Sequence, residues 1–206
     1  GSTGLLAGFD VATGEERWRL STPGTSWATP AFRDGIVYAG ATNDFYVAAF
    51  DVDMRTERWR HDIDAYVFSS PAIDGGSLYV TGWEGWVYAL DADSGARRWA
   101  FETDFYAAAT PLVADGTVYA TATDTHLYAI DALTGDERWR CATFGGIKDP
   151  PVLADGVLYV TSSDVALYAV AAATGAELWH FPVGEVDGDP GGEGPAPVIG
   201  ETSIYV

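Results

Sequence analysis

Several residue types are scarce in this chain of 206 residues, and each scarcity excludes a class of protein. Cys141 is the only cysteine, so no disulfide can form within the chain. No apolar run approaches the length of about 18 residues that a membrane-spanning helix needs, so we expect no membrane insertion. No segment carries an apolar stripe at helical spacing over three turns, which predicts a chain without long helices. The chain has no initiator Met and no basic-then-apolar signal segment, as expected of a mature form or of a domain cut from a longer protein.

Basic residues are scarce as well. Thirty acidic residues face eleven basic ones, which gives a formal charge of −19, and Lys148 is the only lysine. Such a surface repels nucleic acid and anionic lipid, so we expect no nucleic-acid partner. In about 1 M salt the Debye length falls to about 3 Å and the self-repulsion fades. An acidic, lysine-poor composition resembles that of proteins from extreme halophiles, and the alternative is an ordinary acidic protein.

The chain has an internal repeat with a period of about 40 residues. Tryptophans recur at intervals of 41, 40, 40 and 40 residues, at Trp18, Trp59, Trp99, Trp139 and Trp179. Prolines at 30, 71, 111 and 151 keep the same period, and Pro197 follows after about six inserted residues. Asp-Gly pairs at 34–35, 74–75, 115–116 and 155–156 each precede an apolar pair that ends in Tyr. Several landmarks at one period indicate a repeat architecture.

Within one period the local signals are those of strands and turns. In residues 106–140 the segments YAAATPLVA, TVYATA, HLYAID and DERWRCA are apolar or β-prone, and Asp115-Gly116 is a strong hairpin signal. Thr134 and Glu137 also have the spacing of a helix capping box, but a helix there would have barely two turns before Gly145. Four short antiparallel strands in about 40 residues predict one blade of an all-β propeller.

The segment before each repeated tryptophan resembles a known family motif. The pattern Ala-x-Asp-x-x-Ser/Thr-Gly-x-x-x-Trp, which follows an apolar-Tyr pair, is similar to the PQQ-like (quinoprotein-like) β-propeller repeat and its tryptophan-docking motif. Residues 89–99 and 129–139 match at every defined position. Gly8 replaces the Ala in the first copy, Met54-Arg55 replace Thr-Gly in the second, and Ala171 replaces the Asp in the fifth. The resemblance covers nearly the whole chain.

The motif predicts how neighbouring blades pack. A Trp on the outer strand buries about 150–250 Å², and we expect the small Ala and Gly of the facing segment to let its ring lie flat. The predicted docking residues are Trp18, Trp59, Trp99, Trp139, Trp179, Gly14, Gly95, Gly135 and Gly175. The Asp and Ser/Thr side chains are expected to bond backbone amides in the turn. As a core truncation, Trp139→Ala should cost about 3–5 kcal/mol of stability.

The repeats predict one β-propeller domain over residues 1–206. Four full repeats cover about 26–60, 66–100, 106–140 and 146–180, and half a repeat remains at 1–20 and at 195–206. The simplest arrangement has five blades, with the last blade closed by backbone pairing between the segments near Tyr205 and Leu6. The alternative is an excerpt of a seven- or eight-bladed propeller.

One face of the propeller is the candidate binding face. The loops before the innermost strands share this face with the loops between second and third strands, and they are rich in aromatic and acidic residues. The aromatic residues of these loops are Trp27, Tyr66, Trp83, Trp86, Phe105, Tyr106 and Phe144. The residues chosen as the binding face are Trp27, Tyr66, Trp83, Glu84, Trp86, Tyr106 and Lys148. Two Trp residues around the turn at 83–86 exceed what a hairpin needs, and Lys148 could meet an anionic group or pair with Asp149. The alternative is that the acids are turn residues and the aromatics cap the blade packing.

The insertion at 185–193 is the one candidate metal site. Asp187, Asp189 and Glu193 could offer oxygen ligands to Ca²⁺, although the spacing lacks the full EF-hand pattern. The alternative is an acidic loop without metal. The three histidines fall at non-equivalent repeat positions, and no catalytic residues are predicted.

The resemblance implies two classes of function. Catalytic members of the family use PQQ, usually with eight blades, a vicinal cysteine pair, and Ca²⁺ held by Glu, Asn and Asp. This chain, with one Cys and one Asn, departs from those features. We therefore expect a non-catalytic, monomeric binding or scaffold module without PQQ or Ca²⁺, which holds a protein partner or a small ligand on its loop face.

Two further possibilities stay open at this point. A PQQ-dependent dehydrogenase, or a fragment of one, is the alternative function, and a sensor domain of a longer chain is another. Related repeat proteins are often exported, which favours an extracytoplasmic or cell-surface location.

Overall fold

The computed structural model describes residues 3–24, 28–42, 44–107, 109–184, 196–201 and 203–206. These residues form antiparallel sheets of short strands, which confirms the predicted all-β fold. No helix in the described part of the chain is long or apolar enough to cross a membrane.

Four of the sheets have four strands each, and each sheet comes from one repeat. Blade 1 comprises β3 (Ala31–Arg33), β4 (Ile36–Ala41), β5 (Tyr46–Asp51) and β6 (Thr56–Asp62). Blade 2 comprises β7 (Ala72–Asp74), β8 (Ser77–Thr81), β9 (Trp86–Asp91) and β10 (Arg97–Glu102). Blade 3 comprises β11 (Leu112–Ala114), β12 (Thr117–Thr121), β13 (His126–Asp131) and β14 (Glu137–Ala142). Blade 4 comprises β15 (Val152–Ala154), β16 (Val157–Ser162), β17 (Ala166–Ala171) and β18 (Glu177–Pro182).

Tight turns join the first two strands of each blade. Asp115 and Gly116 have φ values of 48° and 69°, as a two-residue primed turn requires. In blade 2 the left-handed pair is Gly75-Gly76, one residue beyond the Asp-Gly pair seen in the sequence. The innermost strand of blade 3 is shorter than predicted, because residues before Leu112 form a loop and Pro111 cannot donate to a ladder.

The core lies between successive blades. Side chains alternate along each strand, so that Leu78 packs toward blade 1 while its neighbour Tyr79 packs toward blade 3. The second and third strands are buried on both faces, as in β8, where every residue is buried. Each complete blade therefore depends on its neighbours for burial of its apolar surface.

Two hairpins flank the row of complete blades. The N-terminal hairpin is β1 (Thr3–Phe9) with β2 (Glu16–Pro23), and its Leu6 and Leu20 pack on blade 1. The C-terminal hairpin is β19 (Val198–Ile199) with β20 (Ile204–Tyr205), and β19 contacts β15 of blade 4. Together the two hairpins supply the strands of a fifth blade.

The predicted ladder between the segments near Tyr205 and Leu6 is not formed. Among the described residues, β1 pairs with β2 alone and β20 pairs with β19 alone. Each hairpin is held by its own neighbouring blade, and those blades stand at opposite ends of the row. The predicted backbone pairing between these two segments is therefore absent among the described residues. The prediction of a propeller with four complete blades and a fifth shared between the two hairpins is confirmed.

Candidate functional site

Three of the repeated tryptophans dock on the next blade in one geometry. The indole Nε1 donates to a backbone carbonyl of the following blade at 2.9, 3.0 and 3.1 Å, in the pairs Trp59–Ala92, Trp99–Ala132 and Trp139–Ala172. Each ring also covers a glycine of left-handed φ: a Cβ on Gly95, Gly135 or Gly175 would lie 2.5, 2.7 or 2.6 Å from it. A side chain there would displace the ring, so glycine is required for the dock.

The other two tryptophans are placed differently. Trp18 lies against Gly8 of its own hairpin, and a Cβ added to Gly8 would lie 2.2 Å from the indole. The Gly position of the next blade is taken by Arg55, with a φ of 55°. Trp179 is 43% exposed, against 8% for Trp99. Gly14 is the equivalent of Gly95, but a Cβ added to Gly14 would have no neighbouring atom within 4 Å.

The acidic residue of each motif shapes the turn. Oδ1 of Asp131 accepts the amides of Leu133 and Thr134, both at 2.9 Å, and Oδ2 accepts from Arg138 at 2.8 Å. The Arg138 guanidinium and these amides lower the pKa of Asp131 to about 2. Because these oxygens are used inside the hairpin, the acid serves architecture rather than chemistry.

The loop face carries a continuous run of aromatic rings, which we name the aromatic ribbon. Its members, in order of contact, are Phe45, Tyr66, Phe68, Trp83, Tyr106 and Phe105. The successive ring centroids are 4.5, 6.3, 5.3, 4.9 and 4.2 Å apart. The rings come from loops of blades 1, 2 and 3, so the ribbon crosses two blade interfaces.

Five of the six rings are exposed to solvent. Trp83 is 42% exposed and Tyr106 38%, and Phe105 reaches 52%. Blade packing does not require them, since the third blade interface is built without equivalent rings: Gly146 stands where Tyr66 and Tyr106 stand. An exposed ribbon that departs from the repeat is therefore a candidate binding surface.

Acidic side chains hold the loops that present the ribbon. Glu84 Oε2 accepts the amide of Tyr66 at 2.9 Å, and the amide of Trp83 donates to the Tyr66 carbonyl at 2.9 Å. In blade 3, Asp124 Oδ2 accepts the amide of Asp104 at 2.9 Å and the Tyr128 hydroxyl at 2.6 Å. These contacts join each loop between second and third strands to the loop before the innermost strand, so the ribbon rests on fixed backbone.

Blade 4 repeats the tyrosine–acid contact. The Tyr168 hydroxyl donates to Asp164 Oδ2 at 2.5 Å. Burial, followed by this bond, raises the pKa of Tyr168 to about 12. The amide of Phe144 donates to the same hydroxyl at 3.2 Å. The acid at this turn therefore fixes its loop, as in blades 2 and 3.

The remaining predicted face residues divide into three groups. Trp86 is half-buried, packs against the core between blades 1 and 2, and lies 6.1 Å from Tyr88, so it contributes to packing rather than to the ribbon. Lys148 is exposed on the loop before β15, at the repeat position of Phe68. Trp27 and the three acids proposed for Ca²⁺ (Asp187, Asp189 and Glu193) lie outside the described residues.

Two ribbon members were not predicted from the sequence. Phe45 and Phe68 lie on the same kinds of loop as Trp83 and Tyr66, and this loop position was the signal that could have found them. Phe144 was expected on this face; it is 82% exposed and lies 6.1 Å from His180. No ring contact joins Phe144 to the ribbon among the described residues.

The residues that the structure describes do not form a PQQ and Ca²⁺ site of the catalytic type. Cys141 is buried in the core between blades 3 and 4, where burial raises its thiol pKa, and it has no cysteine neighbour to form a vicinal pair. In the part of the chain that the structure describes, no three His, Cys, Asp or Glu side chains are grouped to hold a metal ion.

The fold has relatives among solved structures. BamB from Moraxella catarrhalis superposes with a TM-score of 0.76 at 21% identity, over 86% of this chain and 58% of that chain. Quinohemoprotein alcohol dehydrogenase from Comamonas testosteroni superposes with a TM-score of 0.67 at 20% identity, over 77% of this chain and 35% of that chain. The computationally designed Ika8 protein superposes with a TM-score of 0.79 at 16% identity, over 98% of this chain and 61% of that chain. This chain thus spans less than two thirds of each relative, and at these identities the likeness concerns the fold.

The sequence comparison identifies the family. No curated protein matches the chain. The family described as "Outer membrane protein assembly factor BamB" matches in three overlapping segments, at residues 2–108, 43–144 and 83–206. Because those segments cover nearly all of the chain, and the tryptophan docks and four-stranded blades are those expected of its repeat, the chain belongs to the PQQ-like β-propeller repeat family.

Proposed function

We propose that this chain is a non-catalytic propeller module that binds a protein partner on the aromatic ribbon. The observation that carries the proposal is the ribbon itself, six contiguous rings of which five are exposed. Aromatic side chains in rigid surroundings are typical anchors of protein interfaces. The family match to an assembly factor supports a binding role rather than a catalytic one. The same match supports a location outside the cytoplasm.

The chemistry of the ribbon favours a partner segment with arginine and aliphatic side chains. Exposed acids are sequence neighbours of ribbon rings, as in Asp44-Phe45, Trp83-Glu84 and Asp104-Phe105. A guanidinium can stack on an aromatic face while it pairs with a carboxylate. The chain already uses this contact internally, since the Arg60 guanidinium lies 4.1 Å from the centre of the Tyr46 ring. The charge of −19 also accelerates association with cationic partners.

The test is selection of binding peptides on the intact protein, followed by affinity measurements on variants. A displayed library of random peptides should yield binders rich in Arg and aliphatic residues. For such a peptide, we expect the double variant Trp83→Ala/Tyr106→Ala to lose about 2 kcal/mol or more of binding free energy by calorimetry. Both side chains are exposed, so the fold should be retained, which circular dichroism can check.

Phe32→Ala is the matched control. Phe32 is 65% exposed on β3 and has no ring contact with the ribbon, so its loss should leave affinity unchanged. Equal effects of the control and the double variant would contradict the proposal. Selection of peptides without basic residues would contradict the stated partner chemistry while leaving the binding role in place.

A further inference from the structure

A groove lies on the side of the blades opposite to the aromatic ribbon, and we name it the turn-face groove. It is formed where the β7–β8 turn of blade 2 meets the β13–β14 turn of blade 3, and its volume is about 390 Å³. Its lining includes Asp74, Tyr79, Arg98, Leu133 and Arg138. The ribbon rings lie on loops at the other edge of the same sheets. The groove is therefore separate from the proposed binding face.

The two arginines of the turn-face groove are already paired with acids of their own hairpins. Arg98 donates to Asp91 Oδ2 at 2.7 Å and to Ser77 Oγ at 2.9 Å. Arg138 donates in the same way to Asp131 Oδ2 at 2.8 Å. Each guanidinium is thus held against the wall of the groove, and neither pair adds net charge to it.

The carboxylate of Asp74 gives the turn-face groove a net negative charge. Asp74 is exposed at the end of β7, and its side chain makes no hydrogen bond or ion pair with the described residues. Leu133, which is 79% exposed, supplies apolar surface on the blade 3 side. This combination suits a long basic side chain, because the aliphatic stem of such a residue packs on apolar surface while its charged head pairs with an acid.

The molecule shows what occupies the corresponding space between blades 1 and 2. Arg33, at the repeat position of Asp74, extends from blade 1 toward blade 2, and its Nη2 lies 3.5 Å from Asp93 Oδ1. Its Nε lies 3.6 Å from the carboxylate of Asp34, and the Arg33 side chain is only 29% exposed. Burial raises the pKa of the Tyr38 hydroxyl, while the nearby charge of Arg33 acts to lower it. A guanidinium therefore fits between two blades, beside the equivalent of Tyr79.

The next interface reverses the charges of this arrangement. Asp74 replaces Arg33, and Leu133 replaces Asp93. At the interface between blades 3 and 4, the same two positions are alanines. Among the three interfaces between complete blades, this one alone carries an acid where the first carries an arginine. The space that an arginine of the chain itself enters between blades 1 and 2 is thus left open to an external cation between blades 2 and 3.

We propose that the turn-face groove binds the guanidinium group of an arginine side chain from a partner protein. The Asp74 carboxylate accepts hydrogen bonds from the guanidinium, and Leu133 covers the aliphatic stem. Arginine is favoured over lysine because its guanidinium is planar and more weakly hydrated than an ammonium group, and because Arg33 provides the internal precedent. The site does not depend on the aromatic ribbon, so it stands or fails independently of the proposed function.

Titration of the ¹⁵N-labelled protein with N-acetyl-arginine amide tests the proposal, in about 0.5 M NaCl so that distant charges are screened. We expect saturable shifts at the amides of Gly75, Ser77 and Thr134. Asp74→Asn should raise the Kd at least about threefold, as the loss of an exposed ion pair does. Asp53→Asn is the matched control: it removes the same charge from the same face, at an exposed position outside the groove, so the Kd should not change.

Two exchanges of residue pairs make the test sharper. Asp74→Arg/Leu133→Asp copies the Arg33–Asp93 pair into the groove and should abolish binding, because the new arginine fills the space. Arg33→Asp/Asp93→Leu should create a second site, with new saturable shifts at the amide of Ser94. The spectra themselves report whether each variant is folded.

Three results would overturn the proposal. The first is a wild-type protein without saturable shifts at the groove amides, including the case in which only ribbon residues respond. The second is equal weakening by Asp53→Asn and Asp74→Asn, which would indicate attraction to the acidic surface in general. The third is binding that survives the exchange Asp74→Arg/Leu133→Asp. Equal affinity for N-acetyl-lysine amide would overturn the assignment of a guanidinium ligand.

Discussion

A single glycine decides whether each interblade dock can form. Gly135 has a φ of 80°, and a Cβ there would lie 2.7 Å from the Trp99 ring. Gly156 has a similar φ of 76°, but a Cβ added there would have no neighbouring atom within 4 Å. The two positions share the backbone requirement and differ in the contact, which makes them a matched pair.

We predict that Gly135→Ala destabilises the chain more than Gly156→Ala. Both substitutions place a side chain in the left-handed region, at a cost of about 1–2 kcal/mol. Gly135→Ala also displaces an indole from a packed site, which adds about 1–3 kcal/mol. Unfolding in guanidinium chloride measures the difference. Equal losses would mean that the glycine serves the turn alone.

The tryptophans themselves give a second prediction at this scale. Trp99→Ala empties a buried dock and should lower the free energy of unfolding by about 3–5 kcal/mol. Trp179→Ala removes a ring that is 43% exposed, so its cost should be much smaller. Chemical denaturation of both variants in the same buffer compares the two losses. A similar loss for both would contradict the placement of Trp179 at an open dock.

At the scale of the element, the hairpin that joins the third and fourth strands depends on an ionised acid. Asp131 has a pKa of about 2 in the folded chain, below the usual value near 3.9 for an unfolded Asp. A lowered folded pKa gives stability that is present above the unfolded pKa and lost as the pH falls through the folded one. The turn should therefore weaken between about pH 4 and pH 2.

The variant Asp131→Asn tests this dependence. It keeps an oxygen for the amides of Leu133 and Thr134 but loses the charge that pairs with Arg138. We expect a lower Tm than wild type at pH 7, and a difference between the two proteins that shrinks as the pH falls to about 2. The Tm against pH, by circular dichroism, is the measurement. A difference that stays constant over this range would show that the charge of Asp131 is immaterial.

The elements were readable from the sequence because each signal is local. The Asp-Gly pairs set the hairpins, and the two-residue alternation set the strands that bury both faces, as in Leu78 and Tyr79. The ribbon was readable only in part, because contact among Phe45, Tyr66 and Phe68 depends on how loops of different blades are placed. The pairing of Tyr205 with Leu6 failed for a related reason. Curvature accumulates over several interfaces, and no single motif encodes it.

At the scale of the whole molecule, acidic charge is far in excess of what the arginines neutralise. Arginines pair with acids three positions earlier on their own strand, as Arg60 does with Glu57 at 2.6 Å and Arg140 with Glu137 at 2.7 Å. Exposed pairs of this kind contribute little stability. They leave a net charge of −19 on one folded chain, which opposes the compact state in dilute buffer.

We therefore predict that the Tm rises with NaCl, and that most of the rise occurs below about 1 M, because the Debye length falls from about 10 Å at 0.1 M to about 3 Å at 1 M. Each kcal/mol of relieved repulsion should raise the Tm by about 2–4 °C in a chain of this size. Scanning calorimetry from about 0.1 to 3 M NaCl measures the curve, with sucrose as a non-ionic control. A rise that sucrose reproduces would indicate exclusion of cosolute from the surface rather than screening. A flat curve would show that the acidic surface is not an adaptation to salt.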